Sequence, residues 1–439
     1  MTIDINLPVL HPDQVNAWRL PGRFKAIRCG RRWGKSALLS VIACDAALKG
    51  ESVGIFTPAY KFQTEIYAEI VRYLQPAIAA ASKIDGVIRT ITGGRIDFWT
   101  LEDERAGRSR KYHKVLIDEA AFAKPNMMDI WQHAIEPTLL DYSGSVVAFS
   151  NTRGINKGNF FWRICNEPEH GFVEYHAPAY NNPFVPARLP GESEESHMDR
   201  RRAEFERLKA SRPPMIYAEE YEAAWVDWSG SAFFQMENFL HDSRPYEMPT
   251  ACDYVQAVID TSAKTGKKRD GTAVSFFAFN EYTNPKLFLL DWDIMQMEGD
   301  LLLKWLPSVF ERLEMFAKTC GARFGSIGAA IEDASTGQVL IPYAQRHGWP
   351  VTAIESKLTA MGKVERAYAA APYVYQRQVG ICREPYEKTM TYHERSANHW
   401  VEQMVGFRVG KEDDPRAEDD LLDTGCYGIV LALGGANAI

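Results

Sequence analysis

Residues 29–36, Cys29-Gly30-Arg31-Arg32-Trp33-Gly34-Lys35-Ser36, decide how the first half of the chain folds. A β-rich run at 24–28 precedes them, and a helix-forming stretch at 36–48 follows. Gly-Lys-Ser between a strand and a helix is the setting of a phosphate-binding loop. There, backbone N–H groups and a helix N-terminus face phosphate oxygens. Lys35 is expected to reach the β- and γ-phosphates of ATP, and the Ser36 hydroxyl to ligate Mg²⁺. Cys29 stands where the pattern has its first glycine. Gly30 and Gly34 frame the loop, with Arg31 and Arg32 inside it.

The partner motif is Val115-Leu116-Ile117-Asp118-Glu119-Ala120, an apolar strand ending in two carboxylates. Asp118 is expected to hold Mg²⁺, directly or through water, and Glu119 to polarise the water attacking the γ-phosphate. Gln14, ahead of the first strand, is the candidate for an adenine hydrogen bond. Ser150-Asn151-Thr152 ends the next strand, where a side chain such as Asn151 can sense the γ-phosphate. Arg31, Arg32 and Arg108 are candidate arginine fingers. Strands at 52–57, 95–100, 114–117 and 145–150 interleave with helices at 36–48 and 63–74. That order implies an α/β, doubly wound parallel sheet. The charge-dense stretch 193–210 reads as a solvated helix.

The second half opens differently, with three successive strands at 254–260, 273–279 and 286–294 and then a helix at 300–318. The boundary falls in a stretch marked by Gly230, Pro245 and Pro249. The expected division is an ATPase-type domain at 1–228, a linker at 229–250 and a second α/β domain at 251–439. Asp260 ends the first of these strands. Glu332 and Asp333 follow the apolar run 328–331. Asp419, Asp420 and Asp423 come late, with Asp420 and Asp423 able to share one helix face. Hard carboxylate oxygens favour Mg²⁺ or Mn²⁺, and two such ions suit phosphodiester cleavage. The order strand-Asp, strand-Glu, helix-Asp is that of an RNase H-like nuclease. Adjacent strand residues point to opposite faces, so one of Glu332 and Asp333 is expected to matter, with Glu332 preferred. The Lys- and Gly-rich turn 261–272 could lie against a phosphate backbone.

The chain has 439 residues, 46% hydrophobic and 24% charged, with a formal net charge of −7. That is enough for two folded domains, and it excludes a protein basic throughout. Seven widely spaced cysteines without a C-x-x-C pair argue against a disulfide framework or a structural zinc site. The N-terminus lacks a signal-peptide pattern, and no apolar run reaches the ~20 residues of a membrane span. The expectation is a cytoplasmic protein without a membrane partner.

Taken together, the motor-type and nuclease-type motifs resemble the large terminase subunit of tailed bacteriophages over nearly the whole chain. The shared pieces are 11–14, 30–36, 116–120, 150–152, 259–261, 331–337 and 419–423. The resemblance implies a P-loop ATPase followed by an RNase H-like nuclease. It also implies ATP-driven packaging of double-stranded viral DNA into a procapsid and endonucleolytic cutting of concatemers. Its implied partners are DNA, a portal protein, a small terminase subunit and further copies of the chain, usually in a ring of five. By matching motifs, Gln14 contacts adenine, Lys35 and Ser36 serve the phosphates and Mg²⁺, and Asp118 the metal. Glu119 is then the base and 150–152 the coupling element. Arg108 acts on a neighbouring subunit's ATP. Asp260, Glu332 or Asp333, and Asp420 are the nuclease acids, helped by Asp419 and Asp423. Relatives often carry His where Glu418 stands. Two alternatives are a P-loop helicase or recombination ATPase whose second domain only binds nucleic acid, and an interaction protein with a degenerate nuclease fold.

Overall fold

The computed structural model describes residues 4–261, 271–296, 300–333, 337–408 and 419–434. The chain divides into two compact units. The first comprises Met1–Lys209 and Pro214–Asp227, the second Ala210–Pro213 and Trp228–Ile439. No helix among the described residues is long and apolar enough to cross a membrane.

In the first unit the described strands are β1 (Phe24–Cys29), β2 (Ser52–Thr57), β3 (Ile78–Ser82), β4 (Val87–Thr90), β5 (Arg95–Thr100), β6 (Lys114–Ile117), β7 (Ser145–Ser150) and β8 (Phe172–Ala177). They form one sheet in the order β3-β4-β5-β2-β6-β7-β1-β8. From β5 to β8 every pairing is parallel, and β3 and β4 add an antiparallel hairpin at one edge. Alternate residues of the central strands feed two cores, as a sheet covered on both faces requires. Ile27, Ile55, Leu116 and Phe149 join the core beneath the helices Lys35–Leu48 and Tyr60–Leu74. Ala26, Phe56, Val115, Ile117 and Ala148 join the opposite one, with Trp131 and Phe161. The parallel alignment brings the carboxyl ends of β1, β6 and β7 to one edge. The charged stretch forms the helix Glu194–Ala210, with Arg201 and Phe205 its buried positions.

The second unit is built on β9 (Tyr254–Thr261), β10 (Thr272–Phe279), β11 (Leu287–Met295), β12 (Ser326–Ile331), β13 (Val351–Ala353) and β14 (Val379–Ile381). Their order is β13-β12-β9-β10-β11-β14, with β9, β10 and β11 antiparallel and β12 parallel to β9. A hairpin of β15 (Met390–Tyr392) and β16 (Arg395–Ala397) stands apart from this sheet. The helix Asp300–Thr319 covers one face through Leu306, Val309 and Leu313. The helix Asp420–Leu433 runs across β9, β10 and β11. It lies so close that a side-chain carbon at Gly428 would meet the Phe277 ring at 2.3 Å.

The stretch expected as a linker is instead packed into the second unit. Phe234 and Phe239 are fully buried, and Phe239 meets Trp400 edge-on at 5.6 Å. The glycine and prolines that suggested a linker hide aromatic anchors whose burial outweighs local chain flexibility. The turn residues 262–270, together with 334–336 and Glu418, lie outside the described residues.

Candidate active sites

The phosphate-loop candidates sit where β1 ends. Gly34, at φ 102°, caps the helix Lys35–Leu48 in the left-handed region that glycine tolerates. Gly30 is fixed by close approach, because a Cβ there would lie 2.3 Å from the Tyr221 carbonyl oxygen. The loop is held from outside by the helix Pro12–Arg19 and its cap. His11 Nε2 lies 2.9 Å from the Trp33 carbonyl oxygen, and the Trp33 indole donates to Asp13 at 2.7 Å. Gln14, the candidate for the adenine contact, lies against the loop. Its side chain is buried, Oε1 accepts from the His11 N–H (3.0 Å), and Nε2 donates to the Gly34 carbonyl (2.7 Å). The amide thus braces the Gly34 carbonyl.

Lys35 opens the helix and pairs with Glu119, while Asp118 Oδ1 lies 4.0 Å from its ammonium. Burial opposes charging Lys35, but the two carboxylates outweigh it and hold its pKa above the ordinary value. Asp118 is buried, and burial, moderated by Lys35, pushes it up to about 6. Glu119 turns back from the strand end at φ 52°, a strained conformation for a residue with a side chain. Asp118 Oδ1 and Glu119 Oε2 are buried without hydrogen-bond partners among the described residues. Orphaned hard oxygens beside a phosphate loop fit a Mg²⁺ ion and its waters.

Ser36 is half-buried in the first helical turn, and Asn151 half-buried just past β7. Ser150 Oγ accepts from the Ala121 N–H at 3.1 Å, tying the acidic turn to the neighbouring strand end. Arg31 pairs with Glu220 and Arg32 is exposed. Arg108 is exposed in the segment between β5 and β6, and no ion pair links it to Asp118 or Glu119 among the described residues.

In the second unit, the register sets Ile331 beside Ile259, so Asp260 and Glu332 leave adjacent parallel strands at one level. The Glu332 carboxyl lies among the charges that Asp260 feels. Burial first, then the charges of Asp423, Glu332 and Asp420, raise the Asp260 pKa well above the ordinary carboxylate range. Asp420 and Asp423 come from the first turn of the helix Asp420–Leu433. Its start is capped by Gln403, which accepts from the Leu421 N–H at 2.7 Å. Asp420 Oδ2 also accepts from the Gly271 N–H at 2.8 Å. Burial pushes Asp423 up to about 7 against the opposing charge of Arg366. Asp333 is exposed. Asp419 pairs with Lys363, and Asp423 with Arg366 at 3.3 Å. Like charges so placed are at ease only with protons or cations among them, so the donor set fits divalent metal.

Lys363 and Arg366 escaped the sequence reading. They face carboxylates more than fifty residues away, and nothing local marks that pairing. Among the described residues, the group of three or more such donors that converge within 4.8 Å is Glu167, Glu169 and His170, in the first unit; the second unit's acids stand further apart. Glu167 is already bridged by Arg163 and His170.

The two units thus have an α/β fold of P-loop type followed by an RNase H-like fold. This is the architecture of phage large terminases. The large terminase of a thermophilic bacteriophage superposes with a TM-score of 0.63 at 13% identity, over 97% of this chain and 100% of that one. The same phage's terminase in complex with ATP-γ-S gives 0.60 at 12%, over 96% and 98%. No protein-family model and no curated protein matches the chain.

Proposed function

We propose that this chain is a terminase large subunit. It would hydrolyse ATP in its first unit to move double-stranded viral DNA into a procapsid, and cut concatemeric DNA in its second. The observation that carries the reading is that one chain, aligned end to end with the thermophilic phage's terminase, gathers a lysine–carboxylate site and a multi-carboxylate site, one in each unit. That terminase has been seen with ADP and with ATP-γ-S, which supports nucleotide as the ligand of the first site.

In the motor site, Lys35 rests on Glu119. Nucleotide phosphates compete for the lysine, and its departure releases Glu119 to orient and deprotonate the attacking water. Asp118 and Ser36 would hold Mg²⁺, which neutralises charge on the phosphates. Ser150, bonded to the backbone beside Glu119, gives hydrolysis a route to the next strand through Asn151 and Thr152. In the second site, Asp260, Glu332, Asp420 and Asp423 would hold two Mg²⁺ or Mn²⁺ ions, with Asp419 beside them. Such ions lower the pKa of bound water and stabilise the leaving oxygen. A non-cleaving binding domain has no need of this carboxylate set.

The partners belong to the same reading: DNA, a portal protein, a small terminase subunit and a ring of copies, probed through the exposed Arg108. The compartment would be the host cytoplasm, with transient docking on the procapsid. Two assays on the full chain test the activities. Lys35→Ala should lower ATP hydrolysis by roughly 10²–10³-fold. Plasmid cleavage in Mn²⁺ should vanish with EDTA. Near-normal hydrolysis in Lys35→Ala, or cleavage that survives EDTA, would sink the corresponding half.

A further inference from the structure

Arg366 lies against the carboxylate cluster and is only 8% exposed. It belongs to the helix Lys363–Tyr375, which packs on the helix Asp420–Leu433. Its Nη2 is 3.3 Å from Asp423 Oδ2, and its Nη1 donates to the Tyr427 hydroxyl. The guanidinium carbon also sits 5.0 Å from the Tyr427 ring centroid. Asp423 and Tyr427 are four residues apart, so they share a helix face and one planar fork can hold both.

A guanidinium beside a carboxylate commonly engages both oxygens. Here it engages one. Asp423 Oδ1 is buried with no hydrogen-bond partner among the described residues, an arrangement that costs stability. The same carboxylate feels the charge of Glu332, and Asp260 feels the charge of Asp423. An unpartnered anionic oxygen among other anions is the setting of a cation ligand. Asp420 differs, because its Oδ2 accepts from the Gly271 N–H.

We propose that Arg366 is a positioning residue of the carboxylate site. Its guanidinium pairs with Asp423 Oδ2 and with the Tyr427 hydroxyl, and leaves Asp423 Oδ1 for a divalent cation. The inference rests on the nuclease reading and adds to it. Asp423 becomes a ligand in its own right, and an arginine on another helix decides its orientation.

Positioning and simple charge neutralisation predict opposite signs. If Arg366 only offsets negative charge, removing it makes the site more negative and cations bind more tightly. If it orients Asp423, removing it weakens binding, and outer residues that orient metal ligands typically matter by 10–100-fold in affinity. The probe is Mn²⁺ alone, titrated calorimetrically into the full chain without nucleotide. Arg366→Gln should weaken Mn²⁺ binding by about tenfold or more. Arg366→Lys, which keeps the charge but loses the planar fork, should not restore it. Tyr427→Phe should act in the same direction, more weakly. Thermal melts and ATP hydrolysis check that each variant is folded. Unchanged or tighter binding in Arg366→Gln, or wild-type affinity in Arg366→Lys, overturns the proposal. Should Arg366→Gln fail to fold, unchanged affinity in Tyr427→Phe overturns it instead. Absence of Mn²⁺ binding by the wild type, or full binding by Asp260→Asn, would reject the nuclease reading itself and this inference with it.

Discussion

At the scale of single residues, neighbouring carboxylates divide by where they point. Glu332 is among the charges that raise the Asp260 pKa, while Asp333 is exposed; both follow β12, which ends at Ile331. Asp260→Asn and Glu332→Gln should therefore abolish Mn²⁺-dependent plasmid cleavage, and Asp333→Asn should leave most of it. Equal loss at Glu332 and Asp333 would refute only the choice between them, whereas full activity in Asp260→Asn would refute the site. A pH effect follows from Asp423. Burial lifts it to about 7, with Arg366 and Lys363 opposing and Asp419 and Glu332 reinforcing. An unfolded aspartate releases its proton near pH ~4, so between that value and about 7 the folded chain holds more protons. Stability from this group is present at low pH and lost as pH rises through that window. A divalent cation must displace the proton. The rise in melting temperature produced by Mn²⁺, without nucleotide, should be small at about pH 5.5 and larger at about pH 8. A rise that ignores pH would argue that Asp423 is not where the metal binds.

At the scale of elements, β2, β5, β6 and β7 lie at the residues their apolar runs announce, because buried parallel strands write themselves as unbroken β-rich runs. The hairpin β3–β4 and the outer strand β8 gave no such signal. The middle of β3 is exposed alanine, and β8 mixes Glu174 and His176 into its run. The site followed the same rule. Asp118, Asp260 and Glu332 were legible because strand-end acids are a local pattern. Gln14's bond to the Gly34 carbonyl, and the pairing of Lys363 and Arg366 with distant acids, depend on tertiary approach that no local pattern encodes. Gly30 tests how tightly an element is built around the phosphate loop. Its missing side chain admits the Tyr221 carbonyl and the Ala179 N–H, which hydrogen-bond each other at 2.8 Å. Gly30→Ala should destabilise the full chain by roughly 1–3 kcal/mol, the usual range for overpacking, and weaken nucleotide binding by displacing the loop. A thermal melt and a nucleotide titration read both, and an unshifted pair would mean that the 219–224 segment moves aside freely.

At the scale of the whole molecule, the two candidate sites lie in separate compact units, so damage to one should spare the other. Lys35→Ala and Glu119→Ala should stop ATP hydrolysis in the full chain while Mn²⁺-dependent plasmid cleavage continues. The arginine that completes the motor tests assembly. Arg31 is engaged with Glu220, whereas Arg108 is exposed and, among the described residues, forms no ion pair with Asp118 or Glu119. An exposed guanidinium in the segment following β5 is suited to another copy's nucleotide, where an arginine finger contributes roughly 10³–10⁵-fold to the rate. If Arg108 acts across copies, Arg108→Ala and Glu119→Ala chains are each inactive but complementary. A mixed assembly contains some interfaces in which one copy supplies Glu119 and its neighbour supplies Arg108. ATPase activity of the mixture, measured under conditions where light scattering shows assembly, should then exceed the sum of the two variants alone. Mixing each with Lys35→Ala as well separates the roles, since Lys35 and Glu119 meet within one chain and cannot complement each other at a single site. A strictly additive result in proven assemblies would remove Arg108 from the neighbour's site and move the search to Arg32 within the same chain.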